Sequence, residues 1–285
     1  MSRRLGIVYG QVKLSPGRSF NVGRMWHPKI DAWSPVYSDM MKPFDLHKFT
    51  VPRLPINMGP LAIEKVRACP NVLRVPIKWG GSTEVRVPRE LLPLEEELMR
   101  LLQYDYFVTG PRWRKFFCHL TVHNEWVDPG KTQRFPGFHG DGLQGGKFKR
   151  KLVCEHSYVA TDPQPTIVAM QPFFVSHLNE DRDNVFLAFD QQVRRDSLYR
   201  LLGGHLYLID PYVVHESPII SQRVFRTFFR LTTTPTELLM PKNTVNPMFG
   251  GQEYPARIEV REFTSRPDPV IPYRLYGLDA SGPSM

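Results

Sequence analysis

The chain has 285 residues, of which 41% are hydrophobic and 23% charged. That balance excludes a disordered or collagen-like chain and allows a full buried core. No run approaches the roughly 18 to 20 consecutive apolar residues of a membrane span. The basic start at Arg3 and Arg4 is not followed by a signal-peptide core, because Gln11, Lys13 and Arg18 interrupt it. Cys69, Cys118 and Cys154 form no CxxC pair and no even-numbered disulfide framework. These features lead us to expect a cytoplasmic protein without a membrane segment. The formal charge is +9. Its basic clusters, Arg112/Arg114/Lys115, Lys147/Lys149/Arg150/Lys151 and Arg194/Arg195, read first as solvated surface and second as a footprint for an anionic substrate or partner.

Residues 1–88 are rich in Pro and Gly, with short apolar runs at 5–9 and 72–77, a pattern of short strands and loops. The clearest helix follows Pro88. Leu91, Leu94, Leu98, Leu101 and Leu102 recur at three- and four-residue steps, with Glu95, Glu96, Glu97 and Arg100 on the other side. Pro93 is tolerated because it falls near the first turn. The helix is expected to pack outside a sheet.

From Lys115 the period changes to two. His119, Thr121, His123 and Glu125 share one face of a strand, and Cys118, Leu120, Val122 and Trp126 the opposite, apolar one. Further strands are expected at 152–160, 166–170, 185–189, 205–209, 213–215, 224–232 and 257–263, separated by Gly, Pro, Asp and Asn. Many short strands joined by turns indicate a mainly β sandwich or barrel with flanking helices. The last ten residues are expected to fray.

Two stretches carry the chemistry. His139 and Asp141 stand two apart at an expected strand edge between Gly137 and Gly142, so both side chains face one way. His215 follows Asp141 by 74 residues, after the turn Asp210-Pro211. Two imidazoles and one carboxylate on one side of a metal form a facial triad with open positions, which suits non-haem Fe(II) that binds oxygen and a co-substrate. Any one of the three would be an ordinary hydrogen-bonded residue; the combination is the signal. On the strand at 223–232, Arg226, Phe228 and Arg230 share one face and Phe225, Thr227, Phe229 and Leu231 the other. An inward arginine is costly unless it meets an anion, and its planar guanidinium grips a carboxylate with two parallel hydrogen bonds.

The pattern His139-x-Asp141, His215, then Arg226 and Arg230 eleven and fifteen residues later, resembles the Fe(II)/2-oxoglutarate-dependent oxygenases. The resemblance implies a double-stranded β-helix, a jelly-roll barrel of the cupin type. It also implies iron bound by His139, Asp141 and His215, and the far carboxylate of 2-oxoglutarate bound by Arg226, with Arg230 as the alternative or as a substrate anchor. It covers residues 115–235, the catalytic core of what reads as one domain over 1–285. Residues 1–114 then form an N-terminal extension with supporting strands and a helix, and 236–285 a C-terminal extension.

The implied reaction couples O2 and 2-oxoglutarate to oxidation of a C–H bond, with release of succinate and CO2. Hydroxylation of a small anionic or amino-acid-like metabolite is the leading expectation. Asp141 argues against halogenation, because halogenating relatives replace this carboxylate with Ala or Gly. Two alternatives stand beside it: the same chemistry on a nucleotide or nucleic acid, which lacks an interleaved basic and aromatic groove, and a non-catalytic cupin-type barrel in which Arg226 and Arg230 pair with structural carboxylates. His119, His123 and Glu125 offer a rival metal set, although as single residues they read as satisfied polar side chains. Tyr158 and Gln171 are candidate hydrogen-bond donors to the co-substrate.

Overall fold

The computed structural model describes residues 12–22, 39, 42–141, 156–179, 183–235, 237 and 243–250. The strands expected at 5–9 and 257–263, the C-terminal ten residues, the basic cluster at 147–151 and Cys154 lie outside them. Eleven strands are described: β1 (Arg18–Asn21), β2 (Ile56–Pro60), β3 (Val72–Lys78), β4 (Glu84–Val87), β5 (Phe117–Val127), β6 (His156–Asp162), β7 (Ile167–Ala169), β8 (Leu198–Arg200), β9 (His205–Ile209), β10 (His215–Glu216) and β11 (Val224–Thr234). Eight of them form an antiparallel sheet in the order β1-β4-β3-β5-β11-β6-β9-β2, and three form a second sheet, β10-β7-β8. The fold is mainly β, as the two-residue periodicity predicted.

The central pair sets the register of everything else. β11 runs antiparallel to β5 with Arg226 opposite Glu125, Phe228 opposite His123 and Arg230 opposite Thr121. On its other side β11 meets β6, with Arg230 opposite Val159 and Thr232 opposite Ser157. Directly opposed residues point to the same face, so His119, His123, Ser157, Arg226, Phe228 and Arg230 share one side of the large sheet. Cys118, Leu120, Val122, Tyr158, Phe229 and Leu231 share the other.

That outer side is covered by the expected helix. It begins as a 3-10 segment over Arg89–Leu94 and continues as α2 (Glu95–Thr109), after a short earlier helix α1 (Ile63–Arg67). Leu91, Leu94, Leu98, Leu101 and Leu102 are all fully buried in one cluster with Cys118, Leu120, Val122, Phe229 and Leu231. Pro93 sits in the 3-10 lead-in, where the α-helical hydrogen bond it cannot donate is not yet required. A fully buried carboxylate, Asp105, ties α2 to the sheet. It accepts from His156 Nε2 at 2.9 Å, from Thr233 Oγ1 at 2.7 Å and from the Tyr158 hydroxyl.

Three expectations are corrected here. Residues 185–189 form the helix α3 (Val185–Gln192), not a strand. Asn184 caps it by accepting from Leu187 N, and Val185 and Phe189, one turn apart, are both buried in a cluster with Phe49, Phe138 and Tyr212. A short apolar run cannot by periodicity alone be assigned to strand or helix. Trp126, placed with the apolar face of β5, is 58% exposed and instead packs against Phe225 and the Arg223 guanidinium at the sheet's end. His119, read as a satisfied polar side chain, is buried with neither ring nitrogen meeting a protein partner.

The second sheet lies over the inner side of the first. Val168 of β7 and Val213 pack with Val159, Tyr207, Ile209 and Phe228 of the large sheet. Its far side, at Ile167, Ala169 and Val214, is covered by α3 and by the 3-10 turn Leu46–Thr50 through Phe49. The inner side of the large sheet carries His119, His123, Arg226 and Arg230 among the polar residues that the sequence singled out. Among the described residues, no helix is long and apolar enough to cross a membrane.

Candidate functional site

His139 and His215 are joined by backbone. Each donates its N–H to the other's carbonyl at 2.9 Å, an isolated antiparallel bridge that continues the second sheet by one residue. Cross-strand partners present their side chains together, and the two imidazole rings lie 4.6 Å apart. His215 reaches this position through the turn at Asp210, whose carboxylate accepts from Tyr212 N at 3.0 Å.

The expectation that His139 and Asp141 share a regular strand is not met. Only His139 is bridged, and the chain turns away at Asp141. The reason is steric. A Cβ built on Gly140 would lie 2.2 Å from the Pro211 carbonyl oxygen, so only glycine lets this segment pass so close to the 210–212 turn. Just upstream, Gly137 has φ +82°, and Asp190 of α3 accepts from Phe138 N at 2.8 Å, which pins the approach to His139.

Each imidazole is oriented by a main-chain carbonyl. His139 Nδ1 lies 2.9 Å from Gly137 O, and His215 Nδ1 lies 2.8 Å from Val213 O. A carbonyl only accepts, so Nδ1 carries a proton in both rings, and in the neutral imidazole this places the lone pair on Nε2. That tautomer is the one metal-binding histidines use, with the second nitrogen held from behind. His139, Asp141 and His215 offer ligand atoms that all lie within 4.8 Å of one another, the one such group among the described residues. Two imidazole nitrogens and a carboxylate oxygen form a donor set that fits a first-row divalent ion.

Arg230 completes the immediate surroundings. Its Nη1 donates to Asp141 Oδ1 at 3.0 Å, while its Nε donates to Ser157 Oγ at 3.1 Å and Thr232 Oγ1 at 3.0 Å. Burial alone would push the Asp141 carboxyl up. Arg230, the two histidines and Arg134 more than offset that and hold it well below the usual carboxylate range.

Arg226 lies four residues along the same inner face and is fully buried. Its Nε donates to Gln164 O at 3.1 Å and its Nη1 to Gln133 Oε1 at 2.6 Å, but Nη2 meets no protein acceptor. Burial, with Arg134 and Arg200 nearby, lowers its pKa to about 10 against the pull of Glu125. It remains a cation at neutral pH.

Other candidates separate from the site. His123 pairs with Glu125 at 3.3 Å, and these two with His119 do not gather into a ligand group. Tyr158 points away from the inner face to Asp105, so it is no donor to a ligand between the sheets. The Gln171 amide is used on Gln192 O, Arg194 N and Ser197 Oγ. Gln133 and Arg134 were not singled out from the sequence. A Gln-Arg pair six and five residues ahead of an HxD carries no periodic signal, and only folding brings it against Arg226 and Phe228, whose ring lies 4.7 Å from the Arg134 guanidinium carbon.

The fold and the site together define a β-rich protein with a two-histidine, one-carboxylate cluster between its sheets. No protein-family model and no curated protein matches the sequence. Among solved structures, AviO1 from Streptomyces viridochromogenes Tue57 is similar at 16% identity and a TM-score of 0.36, over 66% of this chain and 92% of that one. EvdMO1 is similar at 17% identity and a TM-score of 0.35, over 67% of this chain; the chain spans about half of its length, 49%. An oxidoreductase of the 2OG-Fe(II) oxygenase family from Burkholderia pseudomallei is similar at 14% identity and a TM-score of 0.28, over 61% of this chain and 76% of that one. Likenesses this remote assign no activity to the chain.

Proposed function

We propose that this protein is a non-haem Fe(II)- and 2-oxoglutarate-dependent oxygenase built on a double-stranded β-helix. Its reaction is the hydroxylation of a C–H bond in a small, anionic or amino-acid-like metabolite, in the cytoplasm. The whole chain acts as one domain, with residues 115–235 as its catalytic core. His139, Asp141 and His215 would hold the iron, which when bound supplies the activation of O2 coupled to decarboxylation of 2-oxoglutarate to succinate and CO2.

The observation that carries this reading is Arg226. A guanidinium with no exposure is strongly disfavoured unless anions or acceptors surround it, and Nη2 has none in the protein. A carboxylate entering between the sheets would satisfy it. The non-catalytic alternative required both arginines to pair with structural carboxylates; Arg230 does so, with Asp141, but Arg226 is held by an amide and a carbonyl.

The chain's own contributions rest on the geometry. The carbonyls of Gly137 and Val213 keep both imidazoles in the ligating tautomer. Arg230 takes one oxygen of Asp141 and leaves the other for the metal. Val168, Val213 and Phe228 line the interior with apolar surface that excludes water.

Anaerobic titration with Fe(II) and 2-oxoglutarate tests the proposal. The expected result is a weak visible charge-transfer band that disappears in His139→Ala and Asp141→Ala. Absence of the band, together with no succinate release from any metabolite pool, would overturn it.

A further inference from the structure

We propose that Gln133 is a positioning residue for 2-oxoglutarate binding, a clamp that aims Arg226 without neutralising it; this rests on the function proposed above. Gln133 is buried in the loop between β5 and His139. Its Nε2 donates to His123 O at 3.1 Å and to Arg226 O at 2.8 Å, so the amide is anchored to two adjacent strands at once. That anchoring leaves Oε1 in a single orientation, where it accepts from Arg226 Nη1 at 2.6 Å. On the opposite edge of the guanidinium, Nε is held by the Gln164 carbonyl at 3.1 Å. A planar group fixed at Nε and Nη1 has its plane and its third nitrogen fixed as well. The nitrogen left without any protein partner is Nη2, with both of its N–H groups.

The chemical type of the clamp matters as much as its place. A carboxylate at this position would pair with Arg226 and compete with any incoming anion, since charge-assisted pairs are the strong ones. A neutral amide oxygen orients the guanidinium without forming an ion pair with it, so that Glu125, opposite on β5, is left as a carboxylate that acts on it only through its field. Both acceptors that touch Arg226, the Gln133 amide and the Gln164 carbonyl, are of this neutral kind. The structure therefore assigns to the 132–134 loop, which runs straight on to His139, the task of linking the carboxylate subsite to the metal ligands.

The test is calorimetric titration of 2-oxoglutarate into the anaerobic Fe(II)-loaded protein, beside the thermal shift that 2-oxoglutarate produces in the metal-free protein. Gln133→Met keeps the volume and removes the acceptor; Gln133→Glu places a competing charge. Each should raise the 2-oxoglutarate dissociation constant about tenfold or more, the value of one charge-assisted hydrogen bond. Fe(II) affinity should stay within about twofold, and neither change should add to the effect of Arg226→Ala. Gln133→Asn, which keeps the amide but shortens its reach by one methylene, carries the same expectation should the larger changes unfold the chain. Wild-type affinity for 2-oxoglutarate in any folded variant, or effects fully additive with Arg226→Ala, would overturn the clamp. A wild-type protein that binds no 2-oxoglutarate would overturn the proposed function itself.

Discussion

Arg230 and Asp141 share one hydrogen bond of 3.0 Å, from Nη1 to Oδ1, while the second carboxylate oxygen of Asp141 lies 4.0 Å from Nε2 of His215. The two oxygens of one carboxylate are thus divided between an arginine and the histidine pair. Arg230 is itself held by Ser157 and Thr232, which makes it a support for Asp141 in the proposed metal site before it is an anion receptor.

The two arginines should therefore separate in function. Arg230→Ala is expected to weaken Fe(II) retention, because an unsupported carboxylate samples other rotamers; losses of ten- to a hundredfold are usual when a residue orienting a metal ligand is removed. Arg226→Ala should instead raise the 2-oxoglutarate requirement and leave iron binding nearly intact. Anaerobic titrations of each component in turn distinguish the two patterns, and the reverse pattern would exchange their roles.

Gly140→Ala alters no ligand, yet its Cβ would meet the Pro211 carbonyl at 2.2 Å. Forcing the backbones apart costs about 1 to 3 kcal/mol, as for other overpacked positions, and it moves His139 and Asp141 away from His215. We expect lower stability in urea and loss of most bound iron by metal analysis. Retention of iron at the wild-type level would show that the turn can relax without disturbing the site.

Asp105→Ala should be the most destabilising single change outside the site. It strips the acceptor from His156, Thr233 and Tyr158 in a fully buried setting, a loss on the order of 3 to 5 kcal/mol. Burial pushes the Asp105 carboxyl up, but His156 and the two hydroxyl donors hold it below its ordinary value of 3.8. A carboxyl depressed in the folded state contributes stability that is complete above that ordinary value and is lost as pH falls through the folded one. Melts below about pH 4 should therefore show an acid limb that flattens in Asp105→Ala.

His119 predicts the opposite sign of mutation. Burial, with Arg74 nearby, lowers its pKa from 6.5 to about 3. Between those values the unfolded chain takes up a proton that the folded chain refuses, so stability falls as the pH drops from about 6.5 towards 3. His119→Leu removes two buried nitrogens that lack protein partners. It should raise stability by about 1 kcal/mol or more and reduce the slope, as measured by denaturant unfolding at pH 7 and pH 5.

Periodicity determined much of this molecule without any tertiary information. The leucine spacing at 91–102 gave the helix that covers the large sheet, because burying one stripe requires three- and four-residue steps. The alternation along 117–126 and 224–232 fixed which side chains share a face. It therefore placed Arg226 and Arg230 on one side before any partner was known; Arg230 meets Asp141, which the sequence had singled out, whereas Arg226 meets Gln133 and Gln164, which it had left unmarked.

What the sequence alone determined was the shared facing of Arg226 and Arg230, since that depends on local two-residue alternation along one strand; His139, Asp141 and His215 it could only single out by residue type and spacing. Only the tertiary structure decided which arginine meets Asp141, why Gly140 separates His139 from its carboxylate partner, and how Gln133 reaches Arg226. These are contacts between segments 71 to 93 residues apart, and no local pattern encodes the register in which two sheets close over one another.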